Sequence, residues 1–94
     1  MTKTVPLSYK IHWVSFDPPY CVVKGYAIDS DLPVRICVHR GYGRVWVCDH
    51  YDTGYRFGKF HDTKAAAIKA GIQTMKDALA NGDYERALRK VEVL

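Results

Sequence analysis

The sequence predicts an α+β fold, namely an antiparallel four- to five-stranded sheet with one long and one short C-terminal helix packed on one face. Runs of alternating apolar and polar residues, separated by proline or glycine turns, precede residue 61 and have the period of strands. An alanine-rich segment, 64–79, then adopts the period of a helix. At 94 residues, we expect the chain to form a single domain, 1–94.

The first two strands are predicted from Ser8 to Phe16 and from Tyr20 to Ala27. The segment Asp17-Pro18-Pro19 separates them, because proline cannot donate to a strand ladder and restricts the residue before it. Gly25 interrupts the second strand, which indicates a bulge or a close approach of another backbone.

Three further strands are expected to begin at Val34, Arg44 and Tyr55. Glycine-containing turns, 40–43 and 52–54, join them as hairpins. If the first turn pairs His39 with Arg44, residues 35, 37 and 39 share a sheet face with residues 44, 46 and 48.

The long helix is predicted to begin after a cap at Asp62 or Thr63 and to end at Asn81-Gly82. Its apolar stripe is expected to cover one face of the sheet, leaving the other face free to meet a partner. That stripe consists of Ala65, Ile68, Ile72, Met75 and Leu79. A short helix capped by Asp83 follows, with an apolar stripe of Tyr84, Ala87, Leu88 and Val91.

The composition favours a binding protein in the cytoplasm. The formal net charge is +4, with aromatic residues at 13%, which fits either simple solubility or a nucleic-acid or nucleoprotein partner. The first residues lack the apolar segment of a signal peptide, and no segment is apolar over a membrane-spanning length, so we expect no membrane association. The oligomeric state is left open.

A basic and aromatic sheet face is the candidate partner-binding site. Basic side chains attract phosphates and acidic groups, and aromatic rings stack on bases or anchor protein interfaces. The alternative is an ordinary solvated sheet face, and the sequence supports these two interpretations about equally. The predicted partner-binding residues are Lys10, His12, Arg35, His39, Tyr42, Arg44, Trp46 and Arg56.

We expect no metal, no cofactor and no catalysis. Cys37-Val38-His39 and Cys48-Asp49-His50 both have the spacing of zinc ligands, but the two histidines are predicted at opposite ends of one hairpin. A cysteine nucleophile beside His39 would lack an orienting group and an oxyanion hole. The three cysteines, an odd number at strand positions, predict free thiols instead of a disulfide framework.

The segment RFGKFHDTKAAAIKAGIQTM resembles the DNA-binding domains of the ethylene-response-factor and integrase-arm type. In those domains three strands read the DNA groove and a helix supports them. The resemblance covers residues 44–79, and two further strands and a second helix depart from that pattern. It implies a small DNA- or RNA-binding domain that uses the basic–aromatic sheet face.

The whole chain also resembles small phage and mobile-element proteins of the anti-CRISPR type, in its size and in the tract GYRFGKFHDTKAAAIKAGIQTMKDAL. The resemblance is one of style and transfers no functional residue. It implies a non-enzymatic phage-type inhibitor whose partner is a host protein or ribonucleoprotein, namely a CRISPR effector complex. Such an inhibitor binds the complex and sterically blocks its DNA binding. Direct nucleic-acid binding is the alternative.

Overall fold

The computed structural model describes residues 2–13, 15 and 17–90, and it confirms the predicted α+β class. One antiparallel sheet has the strand order β1-β2-β3-β4-β5, and two helices follow it. The elements are β1 Lys3–His12, β2 Tyr20–Asp29, β3 Ile36–Arg40, β4 Trp46–His50, β5 Arg56–His61, α1 Lys64–Asn81 and α2 Asp83–Lys90. Predicted core or strand positions Val14, Phe16 and Val91 lie outside the described residues.

The first hairpin is longer than the sequence predicts. Strand β1 begins at Lys3 instead of Ser8, and β2 continues to Asp29 instead of ending at Ala27. The two strands pair along their whole length, from Lys3 opposite Asp29 to His12 opposite Tyr20. Pairing between β2 and β3 is confined to Tyr26–Val38 and Ala27–Cys37, so most of the first hairpin extends beyond β3.

The sheet is strongly curved, because β1 and β4 come into contact although two strands separate them. In a flat sheet three strand spacings would hold them about 14 Å apart. The Tyr9 hydroxyl on β1 nevertheless lies 2.7 Å from Asp49 Oδ2 on β4. The His12 amide also donates to the Gly54 carbonyl at 2.8 Å, beyond the end of β4. The first hairpin therefore curls over β3 and β4.

Two glycines permit this close approach of backbones. A Cβ on Gly25 would lie 2.5 Å from the Val38 carbonyl oxygen, and a Cβ on Gly54 would lie 2.8 Å from the Lys10 carbonyl oxygen. Gly54 also has φ of 74°, a left-handed conformation that glycine adopts without strain. The predicted close approach at Gly25 is thus observed.

The curl divides the apolar core into two clusters on opposite faces of the sheet. The first lies between α1 and the sheet and includes Ile36, Val38 and Met75. The second lies inside the curl and is formed by Tyr9, Ile11 and Cys37. The expectation of a free sheet face opposite the helix is therefore wrong, because β1 covers the centre of that face.

Helix α1 has the predicted boundaries and sits very close to β4. The Thr63 hydroxyl accepts a hydrogen bond from the Ala66 amide at 3.1 Å, and Gly82 ends the helix with φ of 84°. Ile68 and Met75 are buried as predicted, whereas Ala65 is exposed. Ala67, which the predicted stripe does not include, is fully buried.

Gly71 determines how close α1 can approach the sheet. A Cβ at this position would overlap the Cys48 sulfur and lie 3.3 Å from the Cys48 Cβ. The Cys48 thiol in turn donates to the Ala67 carbonyl oxygen at 3.2 Å. The helix and β4 therefore fit together through a glycine on one side and a small side chain on the other.

We expect Gly71→Ala to destabilise the protein, although alanine is ordinarily the better helix residue by about 1 kcal/mol. Overpacking against Cys48 outweighs that gain, and the free energy of unfolding should fall by about 1–3 kcal/mol. The double variant Gly71→Ala/Cys48→Ala removes the overlapping sulfur and should recover part of this loss. Denaturant unfolding of both single variants and the double variant gives the coupling energy. Additive effects would contradict the proposed overlap.

Candidate partner-binding surface

The pairing of β3 with β4 differs from the predicted register. His39 lies opposite Val47 and Arg40 lies opposite Trp46, so the expected pairing of His39 with Arg44 is wrong. The loop after β3 is longer than a tight turn, because it contains a single helical turn at Tyr42–Arg44 and Arg44 itself adopts a positive φ of 62°. This shift by an odd number of residues places Trp46 on the opposite face from His39.

Trp46 belongs to the core beneath α1, not to the predicted binding face. Its indole ring packs against Tyr26, with ring centroids 6.3 Å apart, at the edge of the first apolar cluster. Its large aromatic surface is used for packing between the sheet and the helix. We therefore exclude Trp46 from the candidate surface.

His39 is also unavailable, because it belongs to a buried polar network. Its Nδ1 lies 2.6 Å from Asp49 Oδ2, and the Tyr9 hydroxyl donates to the same oxygen at 2.7 Å. Burial, followed by the charge of Asp49, raises the pKa of Tyr9, so the phenol remains a proton donor. All three residues are buried, with Asp49 only 1% exposed. The network fastens β1 to β3 and β4.

Arg35 is exposed, but its charge is compensated. Its guanidinium contacts the Asp52 carboxylate at 2.6 Å and lies over the Tyr51 ring, 4.3 Å from the centroid. Both partners of this ion pair are more than half exposed, so it contributes little to stability. It does reduce the positive field that Arg35 offers to a partner.

The curl of the sheet places two other predicted residues, Lys10 and His12, against tyrosine rings beside a third, Arg56. Lys10 Nζ lies 4.6 Å from the centroid of the Tyr20 ring, and the His12 ring stacks on Tyr55 at 4.3 Å. Arg56 follows Tyr55 directly. The register pairs His12 with Tyr20, which makes these contacts continuous along the surface.

A second cation–ring pair extends this surface along β5. The Arg56 guanidinium carbon lies 4.9 Å from the centroid of Phe60, whose side chain is 55% exposed. We call this surface the basic–aromatic strip, and it comprises Lys10, His12, Tyr20, Tyr55, Arg56 and Phe60. Its tyrosines and Phe60 are binding candidates that sequence reasoning missed, since no local pattern brings residues 10, 20 and 55 together.

The hairpin tip between β3 and β4 lies beside one end of the strip. The Tyr42 side chain is 87% exposed and contacts the ring of Trp13, the residue after His12, at a centroid distance of 6.2 Å. Arg44 is exposed on the same tip. Of the eight predicted residues, Lys10, His12 and Arg56 thus lie in the strip and Tyr42 and Arg44 lie on the hairpin tip, whereas Arg35, His39 and Trp46 belong to neither.

The strip holds its cations in place without neutralising them. An aromatic ring attracts a cation through its quadrupole by about 0.5–1 kcal/mol at an exposed site, but it carries no net charge. Within the described residues, carboxylates contact basic side chains at Arg35–Asp52, His39–Asp49 and Arg86–Asp83, and none of these contacts involves the strip. Its lysine and arginine therefore keep their full charge for a partner.

The two buried cysteines are poor nucleophiles. Burial, followed by the Asp49 charge, raises the pKa of both Cys37 and Cys48 to about 12, so each remains a thiol near neutral pH. The β3–β4 alternation places Cys37 and His39 on one face and Cys48 and His50 on the other. The two cysteine–histidine pairs therefore point away from each other.

Comparison with known proteins finds no matching family model, no curated relative and no similar solved structure. No helix among the described residues is long and apolar enough to cross a membrane.

Removing Asp49 should cost far more stability than removing one of its donors. Asp49→Ala removes the acceptor that Tyr9 and His39 share and leaves the longer contact of 3.3 Å between the Tyr9 hydroxyl and His39 Nδ1, so it should lower the free energy of unfolding by about 3 kcal/mol or more. Tyr9→Phe removes one donor and keeps the ring, so about 1–2 kcal/mol is expected. Tyr42→Phe, on the exposed tip, is the matched control and should leave the midpoint of denaturant unfolding unchanged. Equal effects of Asp49→Ala and Tyr9→Phe would contradict a shared acceptor.

The thiols should differ sharply in reactivity. Cys21 is partly exposed, whereas Cys37 and Cys48 are buried and have raised pKa values. In the native protein at neutral pH, a maleimide reagent should modify Cys21 first, and the other two should react only after denaturant is added. Mass spectrometry of the labelled peptides identifies the sites. Rapid native labelling of Cys37 would contradict its protection inside the curl.

Proposed function

We propose that this protein is a non-enzymatic inhibitor that binds a CRISPR effector complex and blocks its DNA binding sterically. The observation that carries the proposal is the basic–aromatic strip, in which Lys10 and Arg56 lie over aromatic rings and form no ion pair with any carboxylate of the described residues. Because the walls of a nucleic-acid channel are positively charged, such a surface would instead complement acidic side chains elsewhere on the effector or the phosphates of its bound guide RNA. The resemblance of the whole chain to small phage inhibitors supports the choice of target.

The hairpin tip supports a protein partner over naked nucleic acid. Tyr42 projects almost completely into solvent, and aromatic anchors of this kind fill pockets at protein interfaces. The strip and tip together supply only Lys10, Arg44 and Arg56 as permanent cations. Proteins that bind duplex DNA tightly through its backbone make about 6–10 phosphate contacts, so three would give weak binding at physiological salt.

Charge reversal in the strip should weaken inhibition. In a panel of purified effector–guide complexes, the protein should abolish target-DNA binding by one of them in a gel-shift assay. Lys10→Glu/Arg56→Glu should then raise the concentration needed by at least about tenfold. Tyr42→Ala should cost on the order of 2 kcal/mol of binding if it is the anchor, with no change in thermal stability. Lys69→Glu, an exposed position on α1, is the control.

Naked nucleic acid separates this function from its alternative. Without an effector complex, the protein should not shift duplex DNA or single-stranded RNA at physiological salt. Tight binding to naked duplex whose affinity falls steeply with salt would overturn the inhibitor proposal, and it would favour a direct nucleic-acid-binding function.

A further inference from the structure

A groove separate from the centre of the basic–aromatic strip lies between the helices and β5. It has a volume of about 460 Å³, a size typical of small-molecule sites. Its walls are mainly apolar and aromatic, and include Phe57, Met75, Ala78 and Leu88. The polar groups at its base are His50 and Tyr84, and they form an ordered hydrogen-bond chain.

The direction in which protons are donated along this hydrogen-bond chain follows from the buried hydroxyl of Thr53. Thr53 is 5% exposed, and its oxygen lies 3.3 Å from the Tyr55 amide and 2.8 Å from His50 Nδ1. An amide can only donate, so the oxygen accepts from Tyr55. Among the described hydrogen bonds, the hydroxyl proton then has one acceptor available, His50 Nδ1. A neutral imidazole that accepts at Nδ1 carries its own proton on Nε2.

The second half of this hydrogen-bond chain leaves a hydroxyl donor, that of Tyr84, at the groove. His50 Nε2 lies 2.9 Å from the Tyr84 hydroxyl, so its N–H donates to the tyrosine oxygen. Tyr84 therefore keeps its own proton for a further acceptor. Burial lowers the pKa of His50, against the opposing charge of Asp52, which keeps the ring neutral as this arrangement requires. Burial, followed by the Asp52 charge, raises the pKa of Tyr84, which keeps its proton in place.

Arg56 is the group in the groove lining that would attract an anion to the donor. Arg56 lines the groove and, within the described part of the chain, has no carboxylate at ion-pair distance. Of the two aspartates in the lining, Asp83 pairs with Arg86, whereas Asp77 accepts a hydrogen bond at 2.9 Å from the neutral Gln73 amide and keeps its negative charge. Among the described lining residues, the Arg56 guanidinium and the Tyr84 hydroxyl thus border an apolar cavity.

We propose that the groove binds a small aromatic or aliphatic monocarboxylate, with the apolar body between α1 and α2 and the carboxylate accepting from Tyr84 near Arg56. This site shares Tyr55 and Arg56 with the basic–aromatic strip, so Tyr84→Phe and Ala87→Trp, which lie outside the strip, distinguish ligand binding from inhibition. Charge-assisted hydrogen bonds to a carboxylate are the strong ones, and here they lie beside apolar walls that exclude water. A neutral analogue would lose the attraction of Arg56, and a cationic analogue would meet repulsion instead.

The test uses naphthaleneacetic acid as the probe, with naphthaleneethanol and naphthaleneethylamine as matched neutral and cationic analogues. Titration followed by NMR of the methyl groups of Met75 and Leu88 should show saturable shifts for the acid. Its affinity should exceed that of either analogue by at least about tenfold. Equal affinity of all three probes, or shifts that never saturate, would overturn the proposal.

Three variants locate the carboxylate and the apolar body. Tyr84→Phe keeps the ring and removes the donor, and Arg56→Gln removes the cation, so each should weaken the acid about tenfold while leaving the alcohol unaffected. Ala87→Trp fills the groove from α2 and should abolish binding of every probe. Arg89→Gln, an exposed arginine outside the groove, is the control and should bind as the unmodified protein does. Unchanged affinity for the acid in Tyr84→Phe would overturn the assigned hydrogen bond.

Discussion

The Asp49 carboxylate is the interaction on which the shape of the sheet depends. It is almost fully buried, and both of its hydrogen-bond donors come from other strands. An unpaired carboxylate in this position would be strongly unfavourable, so the native state must bring Tyr9 and His39 to it. Meeting that requirement bends the first hairpin across β3 and β4. The curl then encloses the second apolar cluster and sets the relative positions of the surface groups.

The curl also decides which basic residues can act together. A flat sheet with the expected register would have presented residues 35, 39, 44 and 46 as one face. In the curved sheet, β1 covers that face. The side chains on the outer side of β1 contact the turn before β5. The stacking of His12 on Tyr55 is the clearest sign of this arrangement, since the two residues lie far apart in sequence.

The class of fold and the extent of α1 could be predicted because both depend on local chemistry. Alternation, glycine turns, the Thr63 cap and the Gly82 terminator each act within a few residues. The register of β3 and β4 could not be predicted, because it depends on Arg44 adopting a left-handed conformation that its residue type does not favour. The observed register differs from the expected one by an odd number of residues, and this difference places Trp46 in the core. Lys10, His12 and Arg56 were identified by residue type, but their grouping required the tertiary curl.

The strand order has a consequence for how the chain folds. Each strand pairs with its sequence neighbour, so every sheet pairing can form as a hairpin with a short closing loop. The bond between Tyr9 and Asp49 instead joins residues 40 positions apart. Contacts of such separation carry a larger entropy of loop closure, and they form after local ones. We therefore expect the flat hairpins to assemble first and the curl to close last, so that the transition state contains the sheet but not its curvature.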